Sequence, residues 1–163
     1  MTTADIDALL ATLSIAPERY DHAAVYTCEE AERAVPDTGA VHTKNLFMRD
    51  KRGRRHVLLV TTCAKSVNLR AFAAQANADN LSFASPDRLA RYLGVTPGSV
   101  TLLGLANDAT RSVELYVDDE VWNAHRLHAH PLVNTATLVL THDDLVRFLE
   151  HTGHVPRVIQ LKN

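Results

Sequence analysis

The chain of 163 residues is expected to fold as α/β (α+β), one domain with a central mixed, curved sheet surrounded by helices. Three observations support this. Capped, amphipathic stretches alternate with short strand-forming ones along the chain, which is how helices come to pack on a sheet. The sequence Arg49-Asp50-Lys51-Arg52-Gly53-Arg54-Arg55 joins two strand-like runs by a glycine turn, so at least one strand pair is antiparallel. No repeat, linker or low-complexity tract divides the chain, and its length suits a single core.

Each element has a local signature. Thr3 can cap a helix in which Ile6, Leu9, Leu10 and Leu13 share one face, with Pro17 beyond its end. Arg19 to Tyr26 suits a first strand. Thr27 and Glu30 have capping-box spacing for a short helix that ends near Pro36. Ala40 to Asp50 and Arg55 to Thr62 form the hairpin, and the unbroken apolar run Val57 to Val60 predicts a strand covered on both faces. A helix over Val67 to Ala76 and a short strand at Leu81 to Phe83 come next. Ser85, Pro86 and Gly94 stand where an N-cap, a first-turn proline and a terminating glycine belong. Val113, Leu115 and Val117 alternate with polar neighbours, as in a half-buried strand. Thr135 to Leu140 is a strand, Thr141 with Asp144 opens the next helix, and Arg157 to Leu161 is the last strand.

Composition narrows the function. The longest apolar runs are far too short to span a bilayer, and the N-terminus lacks the basic-then-apolar order of a secretory signal. Cys28 and Cys63 form no framework and no zinc spacing. Each reads as a structural cysteine, Cys63 as a small core residue, in a reducing cytoplasm. A formal net charge of −2 argues against indiscriminate coating of nucleic acid; neither DNA nor membrane is an expected partner. The five cations and one anion from Arg49 to Arg55 are either a solvated turn or a local contact with phosphates.

No Gly-x-Ser-x-Gly elbow, P-loop, Gly-x-Gly-x-x-Gly or His-Glu-x-x-His is present, so a serine or cysteine nucleophile has little support. His125, His128 and His130 lie close together, and Asp118, Asp119 or Glu120 could add oxygen ligands, yet their spacing matches no familiar zinc site.

Four segments remain: His42-Thr43-Lys44-Asn45-Leu46-Phe47, the basic turn, Pro97-Gly98-Ser99-Val100-Thr101, and His130-Pro131-Leu132-Val133-Asn134-Thr135-Ala136-Thr137. Together, in this order, they resemble the prolyl-tRNA editing-domain family, in particular its free-standing branch acting on alanine mischarged onto tRNA(Pro). The similarity runs from about Tyr20 to Leu161. It implies a metal-independent, cofactor-free aminoacyl-tRNA deacylase in which the substrate's ribose 2′-hydroxyl assists water.

In that scheme Lys44 anchors the terminal phosphate or ribose, the Gly98 loop brings backbone N–H groups to the substrate carbonyl, and His130 orients the water or walls the pocket. Asn45 adds an amide hydrogen bond. Ser99 touches substrate or serves only as an N-cap for the next turn of chain. Asn134 and Thr137 brace the His130 segment, while Tyr20, Leu46 and the Val133 region are candidate walls. Lys51, Arg52, Arg54 and Arg55 face the tRNA backbone. The implied partners are the acceptor end of tRNA(Pro) and a prolyl-tRNA synthetase or elongation factor. Cysteine or serine as the acyl group, and a tRNA-binding module without turnover, stay open as alternatives.

Overall fold

The computed structural model describes residues 1–162. Its strands form two sheets. Five of them, in the order β4 (Ser82–Phe83), β2 (Thr43–Arg49), β3 (His56–Thr62), β5 (Val113–Asp118) and β8 (Arg157–Ile159), make a mixed sheet. The β2–β3 pair is the expected antiparallel hairpin, whereas β3–β5 and β5–β8 are parallel. A second, antiparallel sheet has the order β1 (Glu18–Asp21), β7 (Ala136–Thr141), β6 (Arg126–Ala129). The single expected sheet is thus two, joined where Val41 bridges Leu127. The division was hidden because β6 is only four residues long, and an alternation as short as Arg126-Leu127-His128-Ala129 does not announce a strand.

Capping chemistry places the helices. α1 (Thr3–Thr12) is capped by Thr2 rather than Thr3, because Asp5 closes a capping box on Thr2. α2 (Cys28–Ala34) starts after Thr27, and α3 (Leu69–Gln75) after Asn68. α4 (Pro86–Leu93) ends at Gly94, whose φ of 66° is the left-handed conformation that glycine adopts without steric cost. A 3-10 helix, Leu102–Asn107, and the single-turn α5 (Asp119–Trp122) had no clear periodicity to announce them. α6 (His142–Thr152) carries the expected Thr141–Asp144 box.

The mixed sheet is covered on both faces. On one side Met48, Val57, Leu59 and Tyr116 pack against Phe72 and Ala73 of α3 and Ala76 at its C-terminal cap. On the other, Phe47, Leu58, Val60, Leu115 and Val117 meet α1, α4, α6 and the smaller sheet. Every residue of β3 is buried, as its apolar run required. β5 departs from the half-buried reading: Tyr116 and Asp118 are buried too, because the strand lies between two parallel neighbours under α3. Among the described residues no helix is long and apolar enough to cross a membrane.

Candidate active site

The N-terminal end of β2 emerges beside the C-terminal end of β3, and a cleft opens there. Its volume is about 240 Å³. Thr43, Lys44 and Asn45 line it from β2, Cys63 from just beyond β3, Gly98 and Val100 from a turn, and His130 from the segment after β6. Val25, Tyr26, Thr27, Cys28 and Ala31 close the remaining side from the loop before α2 and from α2 itself. Three segments far apart in sequence, those holding Lys44, Gly98 and His130, therefore meet at one cavity.

Each has an identifiable support. Thr101, with no exposed surface, donates from its hydroxyl to the His130 carbonyl at 2.8 Å and so ties the glycine turn to the histidine segment. Lys44 donates from Nζ to the carbonyl of Lys65. An ammonium has three hydrogens, so this bond holds the charge in place and leaves others free. Lys65 is itself fixed by the buried Asp118 at 2.8 Å and by Glu120 at 3.2 Å. Gly98 has φ of 88°, and a Cβ there would stand 2.9 Å from the Tyr26 ring. Backbone conformation and space thus both demand glycine.

His130 Nδ1 lies 3.0 Å from the Ala136 carbonyl. A carbonyl only accepts, so Nδ1 carries the proton and Nε2 keeps its lone pair. Burial pushes this imidazole below its ordinary value, which keeps it neutral near pH 7. A second cavity of about 20 Å³ adjoins the cleft, enclosed by Ala31, Thr43, His128, Ala129, His130 and Thr137. That is room for roughly one water-sized group. The Asn45 Oδ1 is buried and has no hydrogen-bond partner among the described residues, although Asn45 borders the cleft. A buried acceptor left unpaired is costly unless a ligand supplies the donor.

His128 shows the electrostatics most sharply. Burial first, then the proximity of His42, His130 and Arg126, lowers its pKa to about 4. The folded state therefore binds fewer protons than the unfolded chain between that value and 6.5. Stability from this residue is complete above pH 6.5, falls as the pH drops, and is gone near 4, a loss of about 3 kcal/mol. Urea unfolding at pH 7 and pH 4.5 checks this. The wild type should lose distinctly more stability between the two than His128→Gln, which retains a hydrogen-bonding partner for the Thr38 hydroxyl.

Several expected contacts lie elsewhere. Tyr20 sits on β1 opposite Thr137, with its hydroxyl on Glu18, and does not reach the cleft; Tyr26, 70% exposed, is the aromatic at the rim. Leu46 packs toward α3 instead. Val133 is not a wall either. Ser99 is buried, and its N–H is spent on the Thr96 carbonyl. Asn134 exchanges two hydrogen bonds with Val25, a brace rather than a lining group.

The basic turn lies at the far end of β2, five residues from Lys44 and therefore about 17 Å away. Lys51, Arg52 and Arg54 are exposed there. Arg55 is not free: it makes a two-point ion pair with Glu114 at 2.8 Å and also holds the Ala76 and Asn77 carbonyls. Among the described residues no three His, Cys, Asp or Glu side chains gather as metal ligands, so His125, His128 and His130 do not converge with Asp118, Asp119 or Glu120.

The two cysteines, read as separate structural residues, are joined in a disulfide with Cα atoms 5.8 Å apart. Neither is a core residue, since the end of β3 and the start of α2 both emerge at the cleft. Their separation of 35 residues carries no local signal. Tyr26, Ala31 and the small subsite were missed for the same reason, although an aromatic just ahead of the Thr27 cap was a usable hint.

Comparison with known proteins decides the family. The model of the aminoacyl-tRNA editing domain matches residues 22–148. The chain belongs to the aminoacyl-tRNA editing family. It is 36% identical over 141 residues to the prolyl-tRNA editing protein ProX of Acetoanaerobium sticklandii, covering 86% of each chain. It is also 35% identical to the prolyl-tRNA synthetase associated domain-containing protein 1 of Danio rerio, covering 95% of this chain and 85% of that one. A crystal structure of a protein put forward as a trans-editing enzyme for prolyl tRNA synthetase has the same fold, with a TM-score of 0.75 at 19% identity over 99% of this chain and 96% of that one. Editing domains of this family are hydrolases of the aminoacyl-tRNA ester, and the cleft is where the family-like segments around Lys44, Gly98 and His130 converge.

Proposed function

We propose that the chain removes alanine from mischarged tRNA(Pro) in trans, in the cytoplasm, using water and neither metal nor an enzyme-borne nucleophile. The observation that carries this reading is the 20 Å³ subsite beside the cleft that Lys44, Gly98 and His130 line. Such a space suits a single methyl group better than the three side-chain carbons that close proline's five-membered ring. A synthetase pocket shaped for proline discriminates poorly against a smaller side chain, since each missing methylene is worth only about 1–3 kcal/mol, and a second, smaller sieve corrects the error.

The chemistry suits the groups present. An aminoacyl ester is activated by its own ammonium, so the protein's task is positioning and charge stabilisation. Lys44, pinned by the Lys65 carbonyl, offers its remaining protons to the terminal phosphate or ribose. The unpaired Asn45 Oδ1 accepts from the substrate ammonium. The Gly98 N–H approaches the ester carbonyl, and His130 Nε2 accepts a hydrogen from the attacking water while the ribose 2′-hydroxyl assists. Tyr26, exposed above Gly98, gives the terminal adenine a face to stack on. The acceptor end is the part of tRNA(Pro) that is read, and a prolyl-tRNA synthetase or elongation factor delivers it.

Deacylation of Ala-, Ser-, Cys- and Pro-tRNA(Pro) tests the reading. Alanine should be released fastest, with proline slower by at least about 10²-fold and chelator without effect. Serine or cysteine as the preferred group would transfer the proposal to that substrate, and proline cleaved as fast as alanine would end it.

A second expectation concerns the basic turn. At about 17 Å from Lys44 it reaches phosphates of the acceptor stem rather than the ester. The variant with Lys51, Arg52 and Arg54 changed to alanine should raise KM several-fold, leave kcat nearly constant, and flatten the salt dependence of KM. Unaltered salt dependence would move the RNA contact to another surface.

A further inference from the structure

We propose that the Cys28–Cys63 disulfide is a redox-controlled clamp on the wall of the cleft, so that its reduction loosens the size limit on the acyl group. The proposal concerns the same site and, for its activity readout, rests on the deacylase reading.

The segment it holds has little else to hold it. From Tyr26 to Ala34 no residue is buried. Among the described residues its hydrogen bonds and its one ion pair are internal (Thr27 with Glu30, Ala31 with Thr27, Arg33 with Glu29), save that the Ala31 carbonyl accepts from the N–H of Val35, the residue that ends the helix. The buried side chains of Val25 and Val35 fix the two ends, and Asn134 secures Val25. Between these anchors α2 has only seven residues, too few to be stable as an isolated helix in water.

The single covalent tie runs from Cys28, in its first turn, to Cys63, which comes directly after a strand buried at every position. Cα atoms 5.8 Å apart are at a spacing natural to a disulfide. What the tie positions matters chemically. Tyr26, Thr27, Cys28 and Ala31 form one side of the cleft, and Ala31 also closes the 20 Å³ subsite.

Both cysteines are partly exposed at the cleft, within reach of a reductant. A thiolate of a dithiol reductant attacks one sulfur, forming a mixed disulfide and releasing the other cysteine. The reductant's second thiol then displaces the remaining cysteine. The protein disulfide gains two electrons and two protons to become two thiols, and the reductant is oxidised to its own disulfide. In a reducing compartment an accessible disulfide of this kind is transient and responds to the thiol poise. Once it opens, α2 keeps only its end anchors, and Ala31 no longer sets the depth of the subsite. Segments with so few buried contacts open at low free-energy cost.

Air-oxidised protein and protein treated with dithiothreitol would be compared by thiol alkylation and mass, by amide hydrogen exchange, and by deacylation of Ala- and Pro-tRNA(Pro). Alkylatable thiols should rise from none to two. Exchange from Cys28 to Ala34 should accelerate about tenfold or more while β3 and β5 stay unchanged. The ratio of alanine to proline release should fall about tenfold. The double variant Cys28→Ser, Cys63→Ser should match the reduced protein with or without dithiothreitol.

Two free thiols in the oxidised protein would overturn the clamp. So would unaltered exchange over α2, or a response to dithiothreitol in the double variant. If neither tRNA is cleaved in any state, the deacylase reading falls, and thiol count and exchange alone decide the clamp.

Discussion

Lys44→Ala should lower kcat/KM for Ala-tRNA(Pro) by about 10²–10³-fold, or about 3–4 kcal/mol of transition-state stabilisation. The ammonium stands at the end of β2, in a cleft shared with Gly98 and His130, and among the described residues no other lysine or arginine borders that cleft. A fixed charge placed before the substrate arrives costs no reorganisation during reaction, which is why its removal is expensive. Lys44→Arg should recover little. The planar guanidinium is longer and wider, and it does not reproduce a point charge held by a single carbonyl. The measurement is single-turnover deacylation together with equilibrium binding of uncharged tRNA(Pro). If Lys44→Ala weakens binding while the cleavage step keeps its wild-type rate, Lys44 serves affinity alone, and a binding role gains over a catalytic one.

The second large effect belongs to His130. His130→Ala should reduce kcat by about 10²-fold, within the range usual for loss of a positioned acid–base group. The pH dependence separates this from a merely structural role. The imidazole must be neutral for Nε2 to accept from water, and burial places its pKa below 6.5. Activity should therefore be flat above that value and fall as the pH drops through the lowered pKa. In His130→Asn the remaining activity should lack this acid limb, because an amide does not titrate in this range. A limb persisting with the same midpoint would assign the titration to another group. His128 is the neighbour to examine, since it shares the small cavity with His130 and its pKa is also lowered.

How far these residues could be foreseen depends on the range of the interaction that places them. The caps at Thr27, Ser85 and Thr141 were legible because a side-chain oxygen satisfies N–H groups only two or three residues away. The hairpin was legible because Gly53 and the flanking runs lie within one turn of each other, and Asp50 then closes that turn by accepting from the N–H groups of Arg54 and Arg55. Burial of β3 from Val57 to Val60 followed from the unbroken apolar run there. Lys44, Gly98 and His130 were named from resemblance to a family rather than from periodicity, and they line one cleft. Tyr20, named only as a candidate wall and not from a matching segment, does not, because β1 ends at Asp21 and the chain turns before Tyr26 reaches the rim.

Arg55 illustrates the opposite limit. In the sequence it is one of five cations in a basic run. In the fold it is the partner of Glu114, 59 residues away, and its charge is spent within the protein. The orphaned amide oxygen of Asn45, the neutral tautomer of His130 and the tiny subsite behind Ala31 are likewise properties of assembled surfaces. Residue order alone established most of the helices and strands, the hairpin, the buried central strand and the family, because local hydrogen bonding and hydrophobic patterning act over a few residues. Folding alone decided which cations remain free, which aromatic reaches the rim and which two cysteines meet, because those depend on distances between segments tens of residues apart that no local pattern encodes.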